Sequence, residues 1–307
     1  MDFYNKYLKY KSKYLGLKNN LSFLQRGGAL VWKEDSSFEK KLVDICKEKK
    51  EIVLDLSGWV RTDIDGLNII KKSFEETSDK PVLVVMAGIS VKSFCGSAEI
   101  VVNNIKLLKD KFKAVYIINT AKYGEAQGAA CNIKDAMIKE IGRTRETVLR
   151  EDLSDVDFKK LYEPERLFTI SLAKDIHKII TERLELTNVH LLGKCQGGSN
   201  MLELICLGDI YKALYLAVPG NAYHIKPLYK LSRDRLEEIT FIFGWNKNDD
   251  YKFDWTTASF NEKAVYDEEI GKLEKAMDVK LNYESYVFTP GNKHEINEKL
   301  IEKIAKA

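Results

Sequence analysis

The chain has 307 residues, 45% of them hydrophobic and 31% charged, with a formal net charge of +3. That is ample apolar material for one large α/β domain, and the charge is too balanced for a nucleic-acid binder read from composition. No apolar stretch reaches transmembrane length and no secretory signal peptide is recognisable, so a cytoplasmic location is expected.

Residues 1–28 differ from the rest. Lys6, Lys9, Lys11, Lys13 and Lys18 are interleaved with Phe3, Tyr7, Tyr10, Tyr14, Leu17 and Leu21 at helical spacing, which predicts a basic amphipathic helix. It ends at Arg26-Gly27-Gly28, a natural breaker. Such an arm can pack on the main domain as an extra helix or lie on an anionic membrane surface.

After Gly28 strand-like and helix-like segments alternate. Residues 29–32 read as a short strand, 38–49 as a helix and 51–56 as a strand. The apolar run 81–87 reads as a strand, 98–112 as a helix and 114–119 as a strand. Residues 124–164 are polar and irregular, with helical pieces. Ile170, Ala173, Ile176, Ile179 and Ile180 share one face of a helix predicted over 169–184. A strand over 187–192 is followed by a helix over 199–207, then by strands at 213–218, 239–243 and 283–288. Helices are predicted at 261–277 and 296–306. Alternating βα units with apolar strands imply a mostly parallel central sheet flanked by helices on both faces. No linker divides residues 29–307, so one domain is expected, with 124–164 and 220–238 as lid or insert segments.

Five cysteines, at 46, 95, 131, 195 and 206, are odd in number and irregular in spacing. They do not resemble a disulfide framework and fit a reducing compartment. No C-x-x-C pair and no histidine cluster suggests zinc, and nothing calls for a cofactor.

The most informative stretch is Gly193-Lys194-Cys195-Gln196-Gly197-Gly198, between the apolar run Val189 to Leu192 and a helix-like segment. Strand, tight turn and helix around G-x-S-x-G form a nucleophile elbow, and here cysteine holds the middle position. The nucleophile of an elbow sits at backbone angles costly for a residue with a β-carbon. Its neighbours two positions away press against strand and helix, hence Gly193 and Gly197. The positive end of the following helix favours thiolate over thiol. The bland alternative is a glycine-rich turn around an inert cysteine.

In such folds the acid and then the histidine follow the nucleophile. His224 and His294 are the histidines after Cys195. His294 follows the last strand and precedes the last helix, where the base is expected, whereas His224 suits a loop or lid. His177 and His190 fall on a helix and a strand and read as structural. The acid belongs in the loop after the 239–243 strand, where Asp249 and Asp250 are adjacent. Spacing does not separate them; Tyr251 and Phe253 beyond them, as anchors of the loop, favour Asp250. One would hold the histidine tautomer, and the other is an ordinary loop residue. Backbone N–H groups of Gln196 and of Ile89, in Ala87-Gly88-Ile89-Ser90, are the oxyanion-hole candidates. Ser93, Cys95 and Ser97 line the pocket or, at Ser97, cap the next helix.

The helix–strand–elbow segment, with Lys212 to Pro219 as the next strand, resembles the core of α/β-hydrolases. The G-x-C-x-G-G box resembles those of polyhydroxyalkanoate synthases and dienelactone hydrolases. The resemblance implies an α/β-hydrolase fold and a covalent thioester at Cys195, formed from an ester, thioester or lactone, but no particular acyl substrate. The run from Tyr7 to Leu15 followed by Gly27-Gly28 resembles an extension on many proteins of large nucleocytoplasmic DNA viruses. That resemblance implies a viral origin, a place in host cytoplasm or virion, and a virion partner for residues 1–28. Two rivals to hydrolysis remain at this stage: acyl transfer or polyester synthesis, and an inactive scaffold with a structural or binding role.

Overall fold

The computed structural model describes Cys46 and residues 54–64, 67–75, 78–88, 91–120, 155–219, 222–247, 263–289 and 294–307. The basic arm at 1–28, the strand expected at 29–32, Ile89, residues 124–154, Asp249 and Asp250 lie outside them.

Eight strands form one sheet: β1 (Val60–Ile64), β2 (Leu67–Ser73), β3 (Val82–Met86), β4 (Ala114–Asn119), β5 (Val189–Lys194), β6 (Tyr211–Ala217), β7 (Thr240–Asn246) and β8 (Asn282–Phe288). Their spatial order is β1-β2-β4-β3-β5-β6-β7-β8. The two pairings of β2, with β1 and β4, are antiparallel; every other pairing is parallel. The helices are α1 (Val91–Asn103), α2 (Ile105–Leu108), α3 (Asp155–Lys178), α4 (Gln196–Leu204), α5 (Arg233–Glu238), α6 (Lys263–Met277) and α7 (Glu298–Lys306). This mostly parallel, helix-flanked sheet with a strand–elbow–helix at β5 is the α/β-hydrolase fold.

The central strands bury both faces, and their residues alternate between two cores. Val82, Val84 and Met86 join a cluster with Leu172, Ile176, Met201, Leu202, Tyr266 and Ile270, beneath α3, α4 and α6. Leu83 and Val85 join one with Phe94, Ala98, Val101, Leu300 and Ile304, beneath α1 and α7. Two-sided burial is why these strands are continuous apolar runs in the sequence. In β6 the alternation slips: Tyr211 and Leu214 share a core. The register shift between Val189 and His190 explains it, because Tyr211 and Ala213 pair with those consecutive residues and Lys212 bulges to solvent.

Several boundaries differ from the sequence reading. Residues 54–56 are not a strand. The β1–β2 hairpin is an addition; Ile64 pairs with Leu67 and leaves only Asp65-Gly66 between them, a strong hairpin dipeptide. Helix α1 begins at Val91, so Ser97 is a fully buried mid-helix residue and not a cap. Helix α3 starts at Asp155 and closes in a π turn, Ile179–Arg183. In the 220–238 segment, a 3₁₀ run (Ala222–Lys230) precedes α5, and Ile225 and Leu228 are buried in the core beneath α3, α4 and α6.

Cys46 and Cys95 form a disulfide with Cα atoms 5.4 Å apart. The expectation of a chain without bridges is corrected: bridging follows spatial Cα separation, which cysteine spacing in sequence does not report. A disulfide persists in oxidising surroundings, so this pair weighs against the reducing compartment. It closes a loop of 49 residues, for which chain entropy gives about 4 kcal/mol. Denaturant titrations with and without reductant should therefore show a stability loss of roughly 2–4 kcal/mol, and Cys95→Ser should be insensitive to reductant.

His177 and His190 are structural. His190 Nδ1 lies 2.8 Å from the Tyr215 hydroxyl, and its ring meets Phe112 edge-on. His177 Nδ1 lies 2.7 Å from the Tyr211 hydroxyl. Burial, reinforced by Lys111, pushes the His190 pKa down to about 4. The unfolded chain therefore binds a proton near pH 6.5 that the folded protein refuses until about pH 4. His190 costs no stability above about pH 6.5, and its penalty grows as pH falls towards 4. From about pH 7 to about pH 5 it should remove on the order of 2 kcal/mol. Urea midpoints of wild type and His190→Phe should diverge over that window and run parallel above it.

Candidate active site

Strand β5 delivers Cys195 to the carboxyl edge of the sheet. Its backbone there has φ 58° and ψ −126°, between the last strand residue and the first helical one. This conformation is rare for a residue with a side chain and costs on the order of 1–3 kcal/mol. It persists because both flanking peptides are fixed. The Cys195 N–H donates to the Ala217 carbonyl (3.1 Å), and the Cys195 carbonyl accepts from the Gly198 N–H (2.9 Å).

The glycines act as their spacing predicts. A β-carbon on Gly193 would stand 2.6 Å from Gly198 Cα and 2.7 Å from the Gly197 carbonyl oxygen. One on Gly197 would stand 2.4 Å from the carbonyl oxygens of Met86 and Ala87. These are backbone atoms of the first turn of α4 and of the end of the neighbouring strand β3, so they cannot yield. Gly198 differs, since the tightest contact of its β-carbon would be a Leu216 methyl at 3.3 Å, with the Gly193 carbonyl oxygen at an ordinary 3.6 Å.

The sulfur is nearly enclosed; Cys195 is 6% exposed. Gly88, at the end of the loop carrying Ile89, lies against it: a β-carbon there would be 3.1 Å from Sγ and 2.7 Å from Ser93 Oγ. The first-turn N–H groups of a helix have no intrahelical acceptor, and Gln196 opens α4 directly after the sulfur. The Gln196 side chain is turned elsewhere, donating through Nε2 to Thr169 Oγ1 at 3.2 Å.

A polar network behind the sulfur escaped the sequence reading. Lys194 is 3% exposed, and its Nζ lies 3.2 Å from Glu295 Oε2. The same ammonium donates to Ser93 Oγ at 2.9 Å, which also accepts from the Gly88 N–H at 3.1 Å. Asn246, the last residue of β7, donates through Nδ2 to the Glu295 carbonyl (2.8 Å) and accepts at Oδ1 from Asn297 Nδ2 (2.8 Å). His294 precedes Glu295, so it is held at the same end of the sheet as Cys195. Asp249 and Asp250 follow Asn246 closely in sequence but lie outside the described residues, as does Ile89. Of the other candidates, Ser93 joins this network, Cys95 is in the disulfide, and His224 falls in the 3₁₀ run. Among the described residues no group of His, Cys, Asp and Glu could hold a metal, and no helix is long and apolar enough to cross a membrane.

No protein-family model matches the chain, and no curated protein matches it. Solved structures do. Carboxylesterase CesB of Bacillus subtilis is 10% identical with a TM-score of 0.44, over 88% of this chain and 96% of that one. Poly(aspartic acid) hydrolase-1 of a Sphingomonas species is 12% identical with a TM-score of 0.44, over 78% and 92%. A thermostable esterase of Pseudomonas putida is 10% identical with a TM-score of 0.41, over 94% and 93%.

The three glycines should rank by what their β-carbons meet. Gly197→Ala and Gly193→Ala should each cost on the order of 4 kcal/mol or more, or prevent folding. Gly198→Ala should stay within about 1 kcal/mol of wild type. Thermal or urea unfolding of the three variants measures this order.

Proposed function

We propose that this protein hydrolyses an ester, thioester or lactone through an acyl-Cys195 intermediate. The observation that carries the reading is the positive-φ backbone at Cys195, wedged between β5 and the N-terminus of α4. Strain of this kind is retained where it presents a reactive group, and a helix N-terminus favours the thiolate.

In the first step the Cys195 thiolate attacks the carbonyl carbon and a C–S bond forms. The carbonyl electron pair moves to oxygen, where the N–H groups of Gln196 and Ile89 would stabilise it. The oxyanion collapses and expels the alcohol or thiol, which leaves with a proton given by the His294 imidazolium. In the second step His294 takes a proton from water and the hydroxide attacks the thioester. The C–S bond breaks, and the carboxylic acid and thiolate are released. Asp249 or Asp250 would accept the Nδ1 proton of His294 and fix its tautomer.

Cys206 serves as an internal control. Burial, with the charge of Glu203 second, pushes its thiol up to about 12, and it donates to the Leu202 carbonyl. At neutral pH iodoacetamide should therefore label Cys195 well before Cys206. Across a panel of esters and thioesters, acid quench should trap an acyl mass on Cys195. Cys195→Ala should lose the adduct and at least about a thousandfold in turnover. Equal labelling of the two thiols, or equal turnover of wild type and Cys195→Ala, would leave an inactive scaffold as the reading.

A further inference from the structure

On the reading just given, we propose that the buried Lys194–Glu295 pair, joined through Ser93 and Asn246, is a positioning device that sets the catalytic loops against one another. Each member leaves from a different part of the site. Lys194 precedes the nucleophile, and Glu295 follows the base. Ser93, on α1, holds Gly88, the residue before Ile89, by its N–H. Asn246 ends the strand that feeds the acid loop, and it holds the Glu295 backbone. One connected chain of contacts thus joins Gly88, the elbow at Lys194, the end of β7 at Asn246 and the histidine loop at Glu295.

Burial makes a purely stabilising role a poor explanation. Lys194 and Glu295 are 3% and 15% exposed, and the attraction within such a pair does little more than offset its desolvation. An apolar pair would serve stability as well. What the ions add is connection: one ammonium that donates to Ser93 Oγ and pairs with the Glu295 carboxylate at 3.2 Å ties together three segments distant in sequence.

The shape of α1 is a second, independent observation. Gly96 lies mid-helix, an unfavourable place for glycine, and a β-carbon there would stand 2.6 Å from the Glu295 carboxyl group. The helix is notched where Glu295 enters. Glu295 and Ser93 both touch the Lys194 ammonium, at 3.2 and 2.9 Å, so both contacts of α1 with the network converge on the residue before the nucleophile.

The test measures iodoacetamide labelling of Cys195 against pH, and p-nitrophenyl acetate turnover, in wild type, His294→Ala, Lys194→Met/Glu295→Gln and Ser93→Ala. The double variant removes both charges, so no lone charge is left inside. Wild type should label well below about pH 8.5, where an ordinary thiol ionises. The labelling midpoint should rise towards that value in His294→Ala and in the double variant, and kcat should fall at least about tenfold with a smaller change in KM. Ser93→Ala cuts the Gly88 contact and one hydrogen bond of Lys194 but leaves the Lys194–Glu295 pair in place, so it should lower kcat and move the labelling midpoint less than the double variant does. A folded double variant with wild-type midpoint and turnover would overturn the positioning role. Should that variant not fold, Ser93→Ala decides, and an unchanged kcat overturns it. A wild type that labels as an ordinary thiol and is indifferent to His294→Ala would instead sink the acyl-cysteine reading, and the positioning role with it.

Discussion

One residue held at a backbone angle it would not choose organises this molecule. Cys195 turns the chain from β5 into α4 at φ 58°, and a turn that sharp exists only where the surrounding backbone can close in. Gly193 and Gly197 permit that approach, and hydrogen bonds to Ala217 and from Gly198 hold it. The local cost is offset by the two-sided core, because β5 is anchored between β3 and β6 along its length. A second strained residue stands beside it. Val218, β-branched, has φ 38° at the end of β6, and its N–H donates to the Gly244 carbonyl. Two of the four non-glycine residues with positive φ among the described residues, Cys195 and Val218, thus sit at the carboxyl edge of the sheet, where open α/β folds place their ligands, while Glu185 and Asp278 precede β5 and β8.

The sheet also determines where the supporting charges can go. Successive residues of β5 face opposite cores; Leu192 belongs to the side of α1 and α7, and Lys194 shares that face. Its ammonium consequently points away from α3 and towards Ser93 and Glu295. The sulfur is left between the elbow and Gly88. An apolar residue at 194 would satisfy the core equally well, but it would make no connection to the histidine loop.

Legibility in the sequence followed the range of the physics involved. The strands β3 to β7 could be read because burial on both faces writes continuous apolar runs. The elbow could be read because its steric demands fall within six consecutive residues. The β1–β2 hairpin was harder, since Arg61, Asp63, Lys71 and Lys72 belong to a half-solvated edge, although Asp65-Gly66 between the strands is a local signal for it. The Lys194–Glu295 pair and the Cys46–Cys95 bridge had no local signal at all. Lys194 meets partners about 100 residues away in both directions, and a lysine beside a turn reads as solvated until its surroundings are known.

Gly88 shows how closely Cys195 is matched to its surroundings. Sulfur is larger than oxygen, and the loop facing it must stay clear without losing its hold on the peptide that follows. A side chain at 88 would have to enter a space bounded by Sγ at 3.1 Å and Ser93 Oγ at 2.7 Å. It could do so only by displacing the sulfur or by breaking the Gly88–Ser93 hydrogen bond, and with it the connection to Lys194. The same glycine thus makes room for the thiol and keeps its loop tied to the ion pair. Cys195 and the ion pair constrain each other through this one position, which is why neither can be understood from the six-residue elbow alone.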